Sequence, residues 1–434
     1  MAVKEPGFGA PSFEAVRRAD HDHVISTYAR YPLALVRGRG TRVWDSEGRS
    51  YLDFIGGIAV NVLGHCHPAV SGAIARQAKT LIHASNLFYT LPYVKLAELL
   101  AGTGVPGPVF FCNSGAEATE GAIKLARKFA TATGRKGRRI VAVEGGFHGR
   151  TMGALAATGK PQFWQGFEPL PPGFIHVPFN DVGALERAFS PADGNGGSVD
   201  PGEAPCAVIL EVIQGEAGIR PASPEFLAAA RELCDRHGAL LVIDEVQTGM
   251  GRTGTFWAFQ GTGMAGFRPD VMTAAKGLGG GLPIGFFSAR DDVAAVLHPG
   301  DHGSTFGANP VACAAAVATV GEIMKPGFLD HVQEVGVELN DRLAGIATAF
   351  PEAVRAARGR GLMAGLEMAS ADLAKAVLDG CRAGGVLVNR TADDVIRLLP
   401  PLTVSRRELR RAMTVLRRAV AGAAVGAGAA GQPL

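Results

Sequence analysis

Between about residues 68 and 320 the chain alternates between two hydrophobic periods. Apolar residues recur at helical spacing over Val94 to Leu100, Glu117 to Ala130 and Pro224 to His237. Short, nearly continuous apolar runs separate these stretches: Val109-Cys112, Ile140-Val143, Ala207-Glu211, Leu240-Ile243, Val271-Ala274 and Gly285-Ser288. Runs of that length without polar alternation fit strands buried on both faces. Strands alternating with helices of this length predict an α/β fold, a mostly parallel sheet flanked by helices. Ala308 to Met324 reads as a buried Ala-rich helix.

The pattern differs at both ends. Residues 1 to about 20 are expected to be loosely held. Arg42-Asp45 and Tyr51-Phe54 predict two short strands around the turn Ser46-Glu47-Gly48-Arg49. After Lys325-Pro326-Gly327-Phe328 come a helix over about His331 to Ala349, short strands at Gly365-Met368, Val386-Val388 and Val395-Leu398, and a last helix over about Ser405 to Ala421. The expected division is an N-terminal segment, 1–65, contributing to a small domain, then a large domain, 66–325, a smaller α+β domain, 326–420, and a flexible Ala/Gly tail, 421–434. Asp193 to Glu203 reads as an exposed loop.

Composition narrows the function classes. A net charge of +3, from 43 basic and 40 acidic side chains, leaves no electrostatic footprint for nucleic acid. Neither a lysine-rich run nor about 18 consecutive apolar residues points to a membrane. The N-terminus lacks the apolar core of a signal peptide, and the six cysteines stand singly without Cys-x-x-Cys. A cytoplasmic protein with reduced thiols is expected.

Several short strings carry candidate chemistry. Lys276 follows the run Val271-Ala274, and Asp244 follows Leu240-Ile243. A lysine and a carboxylate after successive strands suit pyridoxal phosphate (PLP), whose aldehyde bonds a lysine and whose ring nitrogen needs an acid to hold its proton. Taken alone, Lys276 among glycines reads as a solvated loop cation. Asn113-Ser114-Gly115-Ala116-Glu117 opens a helix after a strand, which suits either an anion site or a capping box of Ser114 with Glu117, and the two are compatible. Gly102-Thr103-Gly104-Val105-Pro106-Gly107 and Gly261-Thr262-Gly263-Met264-Ala265-Gly266 match a dinucleotide string but lack the order strand, glycines, helix. His65-Cys66-His67-Pro68 lacks further ligands at zinc spacing and reads as a hydrogen-bonded loop, so no metal site is expected.

Seven strings occur in order: Asn113-Ser114-Gly115-Ala116-Glu117-Ala118, Phe147-His148-Gly149-Arg150-Thr151, Gln214-Gly215-Glu216, Asp244-Glu245-Val246-Gln247-Thr248-Gly249, Ala275-Lys276, His302-Gly303-Ser304-Thr305-Phe306-Gly307 and Asn309-Pro310. Over about residues 20 to 420 the chain resembles the class III, fold type I PLP-dependent aminotransferases. The resemblance implies Lys276 as the lysine that forms the Schiff base and shuttles the proton, with Asp244 paired to the pyridinium nitrogen. It implies Phe147 and Val246 on the two ring faces, His148 beside the cofactor and Gln247 on the ring hydroxyl. Ser114, Gly115 and Ala116 would hold the phosphate, and Thr305 would reach it from the neighbouring subunit of a homodimer. Without the resemblance, Phe147 and Val246 read as core packing.

For the amino-acid and 2-oxo-acid substrates, the resemblance places Arg397 on an α-carboxylate, with Glu216 pairing it when the amine arrives. A bidentate guanidinium suits that task; a structural ion pair is the plainer reading of Arg397. Arg150 would hold the far carboxylate, near Ser304. Gly64-His65-Cys66-His67-Pro68, His176-Val177-Pro178-Phe179-Asn180-Asp181 and Arg397-Leu398-Leu399-Pro400-Pro401-Leu402 resemble the acetylornithine-using subfamily. Ile58 stands where ornithine-using relatives carry a tyrosine, and an apolar residue suits an acylated nitrogen. Val212 departs from the family's proline, which bears on backbone stiffness. The implied reaction moves the δ-amino group of N2-acetyl-L-ornithine to 2-oxoglutarate, in arginine biosynthesis. Other ω-amino donors (ornithine, succinylornithine, 4-aminobutyrate) are the alternative, and an aminomutase is disfavoured because Arg397 with Glu216 makes sense for substrate exchange.

Overall fold

The computed structural model describes residues 12–190 and 204–430. Its centre is a seven-stranded sheet in the order Val109–Cys112, Gly285–Ala289, Val271–Ala274, Leu240–Asp244, Ala207–Leu210, Ile140–Val143, Phe174–Val177. Only Gly285–Ala289 runs antiparallel to its neighbours. Alternate residues of each strand enter different cores, which explains the unbroken apolar runs. Ile140, Ala142, Leu240 and Val242 pack with Ala122, Leu125 and Ala126 of the helix Gly115–Ala132. Val141, Val143, Leu241 and Ile243 face the helices Pro224–His237 and Pro310–Ile323.

The strand Phe174–Val177 is absent from the hydrophobic pattern because it lies at the sheet edge, where three of its four residues are half-buried. A four-stranded antiparallel sheet follows in the C-terminal part: Val354–Arg360, Met363–Met368, Val395–Leu398, Asn389–Thr391. The first of these runs is rich in arginine and glycine, which hides it from a pattern search.

At the N-terminal end, Leu35–Arg39, Arg42–Asp45 and Ser50–Asp53 form an antiparallel meander. The late strand Val386–Leu387 completes it, running parallel to Ser50–Asp53 with Val386 opposite Leu52. The first and last parts of the chain therefore share one sheet. Phe13–His23 is a helix with no buried residue.

The last helix runs Arg406–Ala430, well into the segment that composition marks as a flexible tail. Alanine's helix propensity carries it past the interspersed glycines. The Asp193 to Glu203 loop lies outside the described residues. Among the described residues, no single helix is long and apolar enough to cross a membrane.

The parallel strands end on one side, and the chemistry-bearing strings follow those ends. Helix Gly115–Ala132 is seated against this sheet by close contact: a Cβ on Gly121 would lie 2.3 Å from Cε1 of Phe287. Gly121→Ala is expected to destabilise the fold by about 1–3 kcal/mol through overpacking. Thermal unfolding checks this, and an unchanged Tm would show that the helix has room to shift.

Candidate active site

Strand ends and one helix start enclose a cavity of about 460 Å³. Ser114, Gly115, Ala116, Phe147, His148, Arg150, Glu216, Asp244, Val246, Gln247 and Lys276, taken from five of the sequence strings, line it together. Ser114 caps the helix Gly115–Ala132, its Oγ accepting the Glu117 N–H at 3.2 Å. The reciprocal half of a capping box is shifted by one residue, since Glu117 accepts the Asn113 N–H at 2.8 Å. The positive end of an 18-residue helix thus opens on the cavity. Gly115 is required there, because a Cβ would come within 2.7 Å of Val246.

Asp244 ends its strand fully buried. Its Oδ1 accepts the Val246 N–H at 2.9 Å, and its Oδ2 accepts from His148 Nδ1 at 2.7 Å. Burial opposes a charge on His148, yet the Asp244 hydrogen bond and charge, with Glu211 beyond, hold its proton more firmly than usual. Lys276 opens a tight turn after Val271–Ala274 at φ 34°, a left-handed conformation uncommon outside glycine and typical of functional sites. Among the described residues its amine has no hydrogen-bond or ion-pair partner. Burial drives it towards the neutral form, the Glu216 carboxylate resists, and the Arg397 charge adds to the loss.

Arg397 lies behind the cavity wall, fully buried on the strand Val395–Leu398. Its Nη1 donates to Glu216 Oε1 at 2.5 Å, to the Gly215 carbonyl at 3.1 Å and to Gln247 Oε1 at 3.3 Å. Burial would raise the Glu216 carboxyl, but the Arg397 charge and hydrogen bond hold it below its ordinary range. Arg150 rests 3.7 Å above the Phe163 ring, at the cavity's exposed edge.

Besides Arg397, three residues singled out in the sequence do not line the cavity. Ser304 is one contact away, its Oγ accepting from Asn113 Nδ2 at 3.0 Å. Thr305 is exposed. Ile58 is also exposed, on a turn with φ 63°, and Val60 lines the cavity instead. His65 belongs to a structural contact, 2.7 Å from Asp53 Oδ2.

Sequence reasoning passed over Glu211 as a site residue. This buried carboxylate accepts the Phe147 N–H at 3.0 Å and the Gly215 N–H at 3.3 Å, joining two cavity walls. Burial pushes its carboxyl well above the usual range. A signal existed: like Asp244, Glu211 is an acid closing an apolar strand. Lys160, whose Nζ donates to the Glu216 carbonyl at 2.7 Å, gave none.

The arrangement fits PLP on the chain's own terms. It offers an unpaired amine, a buried carboxylate backed by a histidine, and a helix start free to take a phosphate. Because the Asp244 carboxylate offsets burial at His148, Asp244→Asn should lower the His148 pKa below its ordinary value. A side-chain NMR titration of the imidazole checks this, and an unmoved midpoint would sink the proposed coupling.

The chain is similar to known proteins over nearly its whole length. The family described as aminotransferase class-III matches residues 25–420. The curated acetylornithine aminotransferase of Caldanaerobacter subterraneus subsp. tengcongensis is 48% identical over 395 residues, covering 91% of this chain and 96% of the relative. The solved ornithine aminotransferase of Toxoplasma gondii superposes with a TM-score of 0.88 at 33% identity, covering 95% of this chain and 96% of that one. The N-acetylornithine aminotransferase of Stenotrophomonas maltophilia superposes with a TM-score of 0.77 at 38% identity, covering 92% and 99%.

Proposed function

The chain belongs to the class-III aminotransferase family, and from that premise we propose that it moves the δ-amino group of N2-acetyl-L-ornithine to 2-oxoglutarate. The products are N-acetylglutamate semialdehyde and glutamate, a step of arginine biosynthesis. The observation that carries the reading is the pairing of buried Arg397 with half-buried Glu216 beside Lys276. PLP is the cofactor, and when bound it supplies an aldehyde that captures the amine and a ring that accepts electrons.

The chain's residues supply the rest. Lys276 Nζ, driven towards its neutral form by burial, would accept a proton from the amine-bearing carbon of the donor and return it two atoms away, across the nitrogen. Asp244, held by His148 and the Val246 N–H, would keep the ring nitrogen of the cofactor protonated. Phe147 and Val246 provide apolar walls, the N–H groups of Gly115 and Ala116 would receive the phosphate, and Gln247 would offer Nε2 to the ring hydroxyl. Glu216 neutralises Arg397 while the terminal amine of the donor is bound. When 2-oxoglutarate enters, its α-carboxylate takes Arg397 and its far carboxylate meets Arg150.

Purified protein should be yellow, bleach on addition of N2-acetyl-L-ornithine and recover its colour with 2-oxoglutarate. Bleaching by ornithine or 4-aminobutyrate but not by the acetylated donor would sink the substrate assignment and leave the class intact. Lys276→Ala should lower turnover by at least about a thousandfold, measured in single-turnover assays.

We further infer a homodimer with shared sites. Leu87, Phe88, Tyr89 and Leu91 are largely exposed, as is Phe306 next to Thr305. Asn86 ties this apolar segment to the Thr305 loop through the carbonyls of Ser304 and Gly307, both at 3.0 Å. A contiguous apolar surface of this kind marks an interface, and it brings Thr305 to a neighbour's phosphate. The reduced cysteines, five of the six buried, support a cytoplasmic location. Light scattering should give about twice the 45.0 kDa chain mass. Mixing Lys276→Ala with Thr305→Ala chains should restore one intact site per mixed dimer; no recovery of PLP affinity would count against shared sites.

A further inference from the structure

The Glu216 main chain is held from two sides. Its carbonyl accepts from Lys160 Nζ at 2.7 Å and from Thr391 Oγ1 at 2.8 Å. Lys160 comes from the turn after the α-helix Met152–Ala157, and Thr391 from the C-terminal antiparallel sheet. Donors from two parts of the chain thus fix the backbone of a residue whose carboxylate has to move. The carboxylate itself makes one strong contact, to Arg397.

Substrate exchange creates an electrostatic problem at this point. A substrate carboxylate on Arg397 displaces the Glu216 carboxylate, and an anion left among buried groups without a cation is costly. Lys160 is the cation placed to receive it. Of its three N–H donors one goes to the Glu216 carbonyl, which anchors the amine on the backbone of the residue whose carboxylate has to move. The Glu216 charge is also the leading electrostatic influence on Lys160 after burial.

The same short segment supports the far end of the substrate. Lys160 caps the turn Pro161–Phe163, and its Nζ stands 5.5 Å from the Phe163 ring that carries Arg150 at 3.7 Å. Glu216 and Arg150 are therefore positioned from neighbouring residues of one turn.

We propose that Lys160 is a positioning residue for substrate exchange: it pins the Glu216 backbone and receives the Glu216 carboxylate when a substrate carboxylate takes Arg397. The proposal rests on the aminotransfer reading above, and it sets selectivity between the dicarboxylate acceptor and the amine donor. Lys160 does not touch the reacting atoms, so its loss should change acceptor binding and leave the donor half-reaction near wild type.

Lys160→Gln separates charge from pinning, because the amide can still donate to the Glu216 carbonyl. Thr391→Val weakens the pin and keeps the cation. In holoenzyme, Lys160→Gln should raise the KM for 2-oxoglutarate about tenfold, with kcat and the KM for the amine donor within about threefold. Lys160→Arg should restore the acceptor KM, and Thr391→Val should shift both KM values alike. Calorimetry with glutarate, an unreactive dicarboxylate, should show the same loss of affinity in Lys160→Gln independently of turnover. Unchanged glutarate affinity, or equal losses for donor and acceptor, would overturn the role of Lys160. Glutarate binding that depends on Lys160 in a protein without aminotransfer would instead overturn the reaction assignment alone.

Discussion

Asp244, His148, Glu211, Glu216, Lys276 and Arg397 gather around or behind one cavity at the carboxyl ends of the central sheet, largely out of water. A charge in that position is tolerable only if another compensates it. The compensation divides five of the six into two groups. Asp244 and His148 satisfy one another, with Glu211 alongside and driven towards its neutral form. Glu216 and Arg397 form the second pair, and Lys276 stands between with no partner. Its neighbours are already engaged with one another, which leaves that amine unpaired among the described residues.

The rest of the architecture serves to hold these charges at fixed separation. Asp244, Glu211 and Lys276 stand at the ends of strands buried on both faces, whose register leaves little freedom to shift. The strand carrying Arg397 sits in a different sheet, with Arg397 paired across to Gly365 and Asn389. Contacts to Gly215, Gln247 and Glu216 draw that sheet against the central one. Closing the cavity therefore depends on the chain's last third returning to its middle. The N-terminal meander, completed by Val386–Leu387, fastens the same region from another side.

Much of this was legible before any coordinates. Six of the seven central strands stand out as apolar runs, since strands with both faces covered leave no polar positions. The edge strand Phe174–Val177 and the arginine-rich Val354–Arg360 escaped notice because partial exposure breaks the pattern. Asp244 and Lys276 could be singled out because each follows an apolar run, and Glu211 carried the same mark unread. Lys160 could not be found this way. It is a polar residue in a loop, and its meaning comes from Glu216, which folding brings to within 2.7 Å of its amine.

Sequence alone determined the sheet class and the order of the strands' chemistry-bearing ends, those of Asp244 and Lys276 among them, because hydrophobic periodicity and strand-end motifs are local properties. Beyond the Arg397–Glu216 pair that the resemblance implied, tertiary structure alone decided which groups compensate one another. It put His148 on Asp244 and Lys160 on the Glu216 carbonyl, and it left Thr305 and Ile58 facing outward from the single chain. Those outcomes depend on distances between residues far apart in the chain, and electrostatic energy in a buried site is set by distance and not by order along the backbone.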